Sequence, residues 1–410
     1  MLTDNNAIFS KEKQNVNTLL LGISILLILF KTMPIFQGYF TAYAELAFVM
    51  VGCFLIFPIK TRTLAVLPIS LLFFLFQSFC REDPAILNAY NIFHGGFMIL
   101  LAIFLLESNE VNKEILVKLF WVLIISITIT QISSIFVLEK YPLLARYNIM
   151  GESDIISYAY GSDVSPSRLN VGGYGLVYMA PIYSSCLFAL MKKNMFPKIL
   201  FIGHVIITFI FIFSTQFMIG LLIYAVIIIS IFLTNAETKK IVITLIIMAI
   251  FYPVLKNLLT EIFAILADSL ESDVLSGRFK EMVSLLRGDS IENTDINLRF
   301  EVYTKSIKVF FENFLLGGRL AGVKGGGHSA ILDYMAYGGI LGLIILIAFF
   351  RMLYKKITEQ FRGMDFIKYI NFSFTAFFAV SLFNPMFYLD VLSIFVFCLC
   401  GFSVIASKKQ

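Results

Sequence analysis

After Lys198 the chain runs about 37 residues, to Thr234, without a charge. At about 1.5 Å per residue a single helix of that length is over ~50 Å long, against a hydrocarbon core of about 30 Å. The run must therefore break. The polar triplet Ser214-Thr215-Gln216 divides it into two short spans, 199–214 and 217–234.

The rest of the chain is of the same kind. Hydrophobic residues make up 59% and charged residues 14%, where a soluble domain is nearer half and a quarter. A bilayer leaves only helices or closed barrels, and these apolar runs are too long and uniform for barrel strands of about ten alternating residues. The expectation is an all-α polytopic membrane protein. The other spans run about 18–36, 40–58, 63–80, 85–106, 115–138, 171–191, 240–259, 329–350, 367–383 and 387–406, which gives twelve in all. The first follows a polar leader of about sixteen residues with no small-residue cleavage site after it, so it reads as an anchor.

Charge checks the count. Lys11 and Lys13, Lys60 and Arg62, Lys113 and Lys118, Lys192, Lys193 and Lys198, Lys239 and Lys240, then Arg351, Lys355, Lys356 and Arg362, and last Lys408 and Lys409, all fall on one face only if 198–234 is broken in two. The positive-inside rule then puts both termini in the cytoplasm. By the same parity two long loops lie outside, about 139–170 and about 260–328. Both are too apolar for plain disorder. In the second, Phe279, Met282, Val283 and Leu286 recur at helical spacing, as do Phe300, Tyr303, Ile307, Phe310 and Phe314. These are expected to be short amphipathic helices lying on the outer surface with an apolar face down.

The net charge of +5 comes from basic pairs spread between apolar runs, a topology signal and not a nucleic-acid-binding face. Five cysteines, Cys53, Cys80, Cys186, Cys398 and Cys400, lie in or beside apolar runs without a CxxC pair, so neither a disulfide framework nor a zinc site is indicated. The strings Glu152-Ser153-Asp154 and Glu271-Ser272-Asp273 are too short and common to mark a metal site. No Walker lysine follows Gly325-Gly326-Gly327.

The residues that could carry chemistry cluster in the outer segments. His328 follows those three glycines, directly before an apolar span. Glycines let the backbone come close to a ligand and bare N–H groups beside a helix start. A histidine near neutral pKa can take a proton from a sugar hydroxyl; the alternative is an interfacial histidine that merely caps a helix. Arg168, Arg278, Arg299 and Arg319 all lie in the two outer loops, and a guanidinium fork matches phosphate oxygens at any relevant pH. For each, a solvated loop charge or a contact to lipid phosphate is the competing reading. Arg299 heads an amphipathic helix leading to the glycine turn, and Arg168 precedes Gly172 and Gly173 at the mouth of a span. Asp333, five residues past His328, could orient it or serve the fold alone. Among charges inside spans, Lys31 can snorkel, or pair with Glu45 across the first hairpin, and Asp390 is costly unless paired or functional. His94, in a stripe with Asn88 and Asn91, and His204, alone in an apolar run, read as core residues.

On the SGR at 276–278, the helix LRFEVYTKSIKVFFENFLLGG at 298–318 and the run GGHSAILDYMAYGGILG at 326–342, the chain resembles the O-antigen polymerase (Wzy-type) and O-antigen ligase superfamily. The large outer loop before the last three spans and the twelve-span plan fit it as well. The resemblance implies an enzyme of the cytoplasmic (inner) membrane that joins oligosaccharides carried on polyprenyl pyrophosphate. It implies pyrophosphate binding by Arg299 and, with a looser match, by Arg168 and Arg278, with His328 activating the acceptor hydroxyl; Arg319 joins the candidate phosphate ligands on its chemistry and loop position alone. No cofactor, metal or nucleic acid is implied; membrane lipid, a flippase and a chain-length regulator are the implied partners. One departure is that Ser214-Thr215-Gln216 stands where many members carry a serine followed by arginine. A ligase, or a twelve-span flippase for the same lipid-linked sugar, are the other readings. Against a flippase, no inverted repeat is visible and the largest segment is external.

Overall fold

The structure, a computed structural model, describes residues 2–39, 47–52, 61–80, 89–108, 110–142, 144–145, 156, 160, 164–233, 252–269, 273–287, 295–359 and 366–408. Among them every regular element is a helix. The first helices are α1 (Leu2–Thr32), α2 (Pro34–Tyr39), α3 (Thr61–Leu64), α4 (Val66–Cys80), α5 (Ala89–Glu107) and α6 (Glu110–Lys140). Then come α7 (Tyr174–Lys192), α8 (Lys198–Ser214) and α9 (Met218–Leu233). The last are α10 (Tyr252–Ser269), α11 (Asp273–Arg287), α12 (Asp295–Glu312), α13 (Ala330–Thr358), α14 (Ile367–Phe383) and α15 (Leu389–Ser407).

Four of the described helical segments are long and apolar enough to cross a membrane: Val111–Lys140, Tyr174–Lys192, Ala330–Thr358 and Leu389–Ser407. Shorter apolar helical stretches, including Val16–Thr32, Lys198–Ser214 and Ile367–Phe383, accompany them. The chain is thus an all-α, membrane-embedded bundle. The expected division of the long uncharged run is present: α8 ends at Ser214, Thr215 and Gln216 form a turn, and Gln216 takes φ +57°. The hydropathy boundary at 259 is displaced. The described helix α10 continues to Ser269, because its later residues Phe263, Leu266 and Ala267 bury against Phe279 and Met282 of α11. The span expected over 40–58 is described only at 47–52, and most of that over 240–259 lies outside the described residues.

Helix α15 is the core of the bundle. Every residue from Val391 to Ala406 is buried, as a helix that is apolar all round requires. It packs against α1, α5, α6, α7 and α13. A stack of rings, Phe73, Phe349, Phe350, Phe377 and Phe387, locks α4, α13 and α14 around the start of α15. Polar residues on facing helices find one another, as in other helix pairs in lipid. Gln131 Nε2 donates to the Tyr183 hydroxyl at 2.7 Å, Thr208 donates to Gln131 at 3.3 Å, and Ser184 lies 3.1 Å from the Tyr224 hydroxyl. His204 belongs to this packing, edge-on to Tyr183 and 3.5 Å from Thr128 Oγ1, and His94 is wholly buried.

The two ends of the bundle differ in chemistry. At one end Lys356 pairs with Glu107, which also accepts from Thr63 at 2.6 Å; Lys408 lies 3.7 Å from Glu114; and Lys193 sits over the Phe366 ring. These lysines belong to the groups that charge parity assigns to one face. The opposite end collects the last turns of α1 and α6 and the first turns of α7, α13 and α15. There Lys31 meets Asp390 at 2.6 Å, Thr130 donates to Thr32 O at 3.0 Å, and Gly172 N donates to Ser134 Oγ at 2.8 Å. Lys31 therefore pairs with a residue 359 positions away; Glu45, its expected partner, lies outside the described residues.

Candidate functional site at the Lys31–Asp390 end of the bundle

Helix α12 and the segment that follows it fold over the first half of α13. Val302, Ser306, Val309 and Phe310 form the inward side of α12, with Ser306, Val309 and Phe310 buried. Beyond Glu312 the chain turns back at Gly317 and Gly318 and lays its backbone against a kink in α13. Gly339 carries φ +58° and ψ −151°, so the helical ladder is interrupted there. The freed groups are taken up by the overlying loop: Gly318 N donates to Ala336 O at 2.8 Å, and Ile340 N donates to Phe314 O at 2.7 Å. Hydropathy treats 329–350 as one uninterrupted span; the structure makes it two helical pieces joined through another segment's backbone. Burial of that backbone requires such bonds, and they pin the loop to the bundle.

The glycine turn is built in the same way. A Cβ on Gly326 would sit 2.1 Å from Val302 O, so only glycine allows this approach to α12. Gly326 N donates to Ser306 Oγ at 2.8 Å, and Ser306 in turn donates to Asp333 Oδ1 at 2.6 Å. Asp333 also accepts from Gly327 N at 3.1 Å and Ser329 N at 2.9 Å. Ser329 caps α13 by accepting from Leu332 N at 3.1 Å. This is a reciprocal cap, with the acid one residue later than in the usual box. Asp333 thus holds the backbone on both sides of His328.

His328 is among the exposed residues, on the rim, with its ring partly shielded. Its pKa is held below the ordinary 6.5, first by that partial burial and then by the Arg299 guanidinium, while Asp333 pulls the other way. The neutral, proton-accepting ring is therefore the form present near neutral pH. Arg299, half-buried in the first turns of α12, also acts electrostatically on Tyr178 of α7, as do Tyr174, Tyr303 and Tyr388. Tyr303 is anchored by donating to Phe383 O at 2.9 Å. A guanidinium, a neutral imidazole and a rim of tyrosines thus converge where α7, α12, α13 and α15 meet. This set can bind an anion and accept a proton beside it.

The structure gathers Arg299, His328 and Asp333. Arg168 is exposed on the turn at 166–170. Arg319 lies on the loop over the α13 kink, and its Nη2 is buried with no hydrogen-bond partner among the described residues. Arg278 is on α11, with its side chain outside the described residues. Among the described residues, no group of three or more His, Cys, Asp or Glu side chains could hold a metal ion; most of the two acidic strings lies outside them. The tyrosine rim was missed by sequence reasoning, because aromatic residues are too common along this chain to stand out. No family model matches the chain, and no curated protein matches it.

Proposed function

We propose that this chain polymerises oligosaccharide repeat units carried on polyprenyl pyrophosphate, for a surface polysaccharide. The observation that carries the reading is the meeting of Arg299 with a neutral His328 on a capped glycine turn, at the mouth of a membrane span. In this reaction the acceptor hydroxyl attacks the anomeric carbon of the donor. Its proton passes to the His328 ring as the new C–O bond forms. The bond to pyrophosphate breaks, and the departing charge falls to Arg299. The donor brings its own leaving group, so no nucleotide is consumed. A ligase that moves a finished glycan to another acceptor would use the same chemistry, and a flippase would need none of it.

The topology belongs to the same proposal: twelve spans in the inner membrane, both termini cytoplasmic, and 139–170 and 260–328 outside. The stripe Phe300, Ile307 and Phe311 on α12, continued by Leu315 in the turn beyond it, is exposed. It would rest in the outer leaflet, beside the lipid carrier. Single cysteines at Lys308 and Lys193, with Cys53 and Cys80 replaced, check this. Lys308→Cys should react with an impermeant maleimide in whole cells, and Lys193→Cys only after lysis; the reverse pattern would end the proposal.

Deletion followed by gel analysis of the surface glycan separates the activities. Single repeats indicate a polymerase, unattached long chains a ligase, and repeats trapped on the cytoplasmic side a flippase. Within the polymerase reading, Arg299→Lys should be nearly as inactive as Arg299→Ala. An ammonium cannot reproduce a two-point grip on pyrophosphate. Full activity of the lysine variant would reduce Arg299 to a generic charge.

A further inference from the structure

We propose that the cavity between the last turn of α1 and the first turns of α7 and α15 is a subsite for one sugar ring of the glycan. It is lined by Lys31, Thr32, Gly172, Gly173, Gly175 and Asp390, among others, and encloses about 210 Å³. That is below the roughly 300–1,000 Å³ of pockets for drug-sized ligands, so it takes one small unit and not a chain.

Its chemistry selects the class of that unit. The Lys31 side chain is 4% exposed and its ammonium sits 2.6 Å from Asp390 Oδ1. The pair is neutral overall, and the carboxylate repels a phosphate. Yet the Asp390 side chain remains 47% exposed, so its second oxygen has lone pairs to offer. An ion pair with one member buried adds little stability over apolar packing of the same volume, which leaves its presence beside a cavity in want of a ligand-directed reason. The opposite wall is backbone. Gly172, Gly173 and Gly175 present no side chains, Gly173 supplies no side-chain cap to α7, and Gly175 N, in the first turn of that helix, precedes the intrahelical ladder; Gly172 N and Leu176 N are already taken by Ser134 Oγ and Gly173 O. Acceptors and donors without net charge suit hydroxyl groups, each of which both gives and takes a hydrogen bond.

Its place suits the reaction. Asp390 is two residues beyond Tyr388, and Gly175 follows Tyr174, both members of the rim around Arg299. A ring held here belongs to the molecule whose reacting end lies at His328. This identification of the ring-bearing molecule rests on the polymerase reading.

The test uses the full chain in detergent and the free oligosaccharide released by mild acid from lipid-linked repeats of a deletion strain. Saturation-transfer NMR should show contact to ring protons in the wild type, lost in Asp390→Asn and in Gly175→Ala. The second variant leaves the ion pair intact and adds a methyl 3.3 Å from Val391 Cγ2, inside the cavity. With lipid-linked repeats, both should raise KM roughly 10- to 100-fold, Asp390→Asn by weakening hydrogen bonds to a charged group and Gly175→Ala by filling the cavity, with the effect falling on KM and not kcat. Variants that fold with unchanged KM and unchanged saturation overturn the subsite. So does a lowered protein level with normal KM, which makes the pair structural, and so does complete displacement of the sugar by inorganic phosphate, which makes the cavity an anion site. Absence of polymerisation with saturation present in the wild type and lost in both variants refutes the polymerase reading and keeps the subsite.

Discussion

Replacing His328 by alanine is expected to lower turnover by roughly two to four orders of magnitude, with membrane levels unchanged. The side chain stands on an exposed turn, and the bonds that hold the turn belong to the backbone of Gly326, Gly327 and Ser329. Its loss should therefore spare the fold. The same chemistry sets a pH profile. Partial burial and then Arg299 hold the His328 pKa below 6.5. A lowered pKa keeps the ring neutral at neutral pH, and the base is lost only as pH falls through that lowered value. The acid limb of kcat/KM, which reports the unliganded protein, should thus lie below pH 6.5. Residual activity of Arg299→Ala should show the limb moved upward, toward 6.5, because one of the two depressing causes is gone. A phosphate ligand at the same place would give another signature: His328→Ala would weaken donor binding and leave kcat nearly intact. Chain-length analysis with purified lipid-linked repeats at several pH values separates the two. Wild-type polymer from a normally expressed His328→Ala protein would remove the histidine from the mechanism.

What could be read from the sequence was what one segment decides by itself. The turn at Thr215 and Gln216 was legible because an uncharged run longer than a membrane must break at its polar point. The α11 stripe was legible because Phe279 and Val283 repeat at helical spacing, and both are buried. The second stripe was only half legible. Phe310 turns inward, but Phe300 and Ile307 stay exposed, and the packed side of α12 runs through Ser306 and Val309. Periodicity names an apolar face; in a membrane protein lipid competes with the core for it. The Lys31–Asp390 pair joins the two ends of the chain, and no local pattern announces it. The kink in α13 was invisible for a related reason. Its hydropathy is unbroken, and the bonds lost at Gly339 are replaced by a loop some twenty residues earlier in the chain. Asp333 stands out for its place beside His328, but its partners, the Ser306 hydroxyl 27 residues earlier and the main-chain N–H groups of Gly327 and Ser329, are not announced by composition.

That loop-to-kink contact predicts the largest structural effect in the chain. Gly317 and Gly322 both sit in the left-handed region, at φ +78° and +72°. Alanine at either position meets the same backbone strain, about 1–2 kcal/mol. Their surroundings differ. A Cβ on Gly322 has nothing within 4 Å, whereas one on Gly317 would lie 2.1 Å from Tyr337 O and 2.5 Å from Gly338 N. Gly317→Ala must therefore lift the loop off α13. That breaks the bonds from Gly318 N to Ala336 O and from Ile340 N to Phe314 O, each buried group left unpaired costing about 1–3 kcal/mol. Together with the strain this approaches the whole stability of an ordinary domain, about 5–15 kcal/mol. Gly317→Ala should fail to accumulate in membranes, while Gly322→Ala should accumulate and polymerise nearly as wild type. Membrane levels and thermal unfolding in detergent read the difference. Equal losses in the two variants would mean that strain alone governs the turn. Normal accumulation and polymerisation by Gly317→Ala would mean that the kink of α13 does not depend on the loop above it, and that His328 is held by Asp333 and the Ser329 cap without this contact.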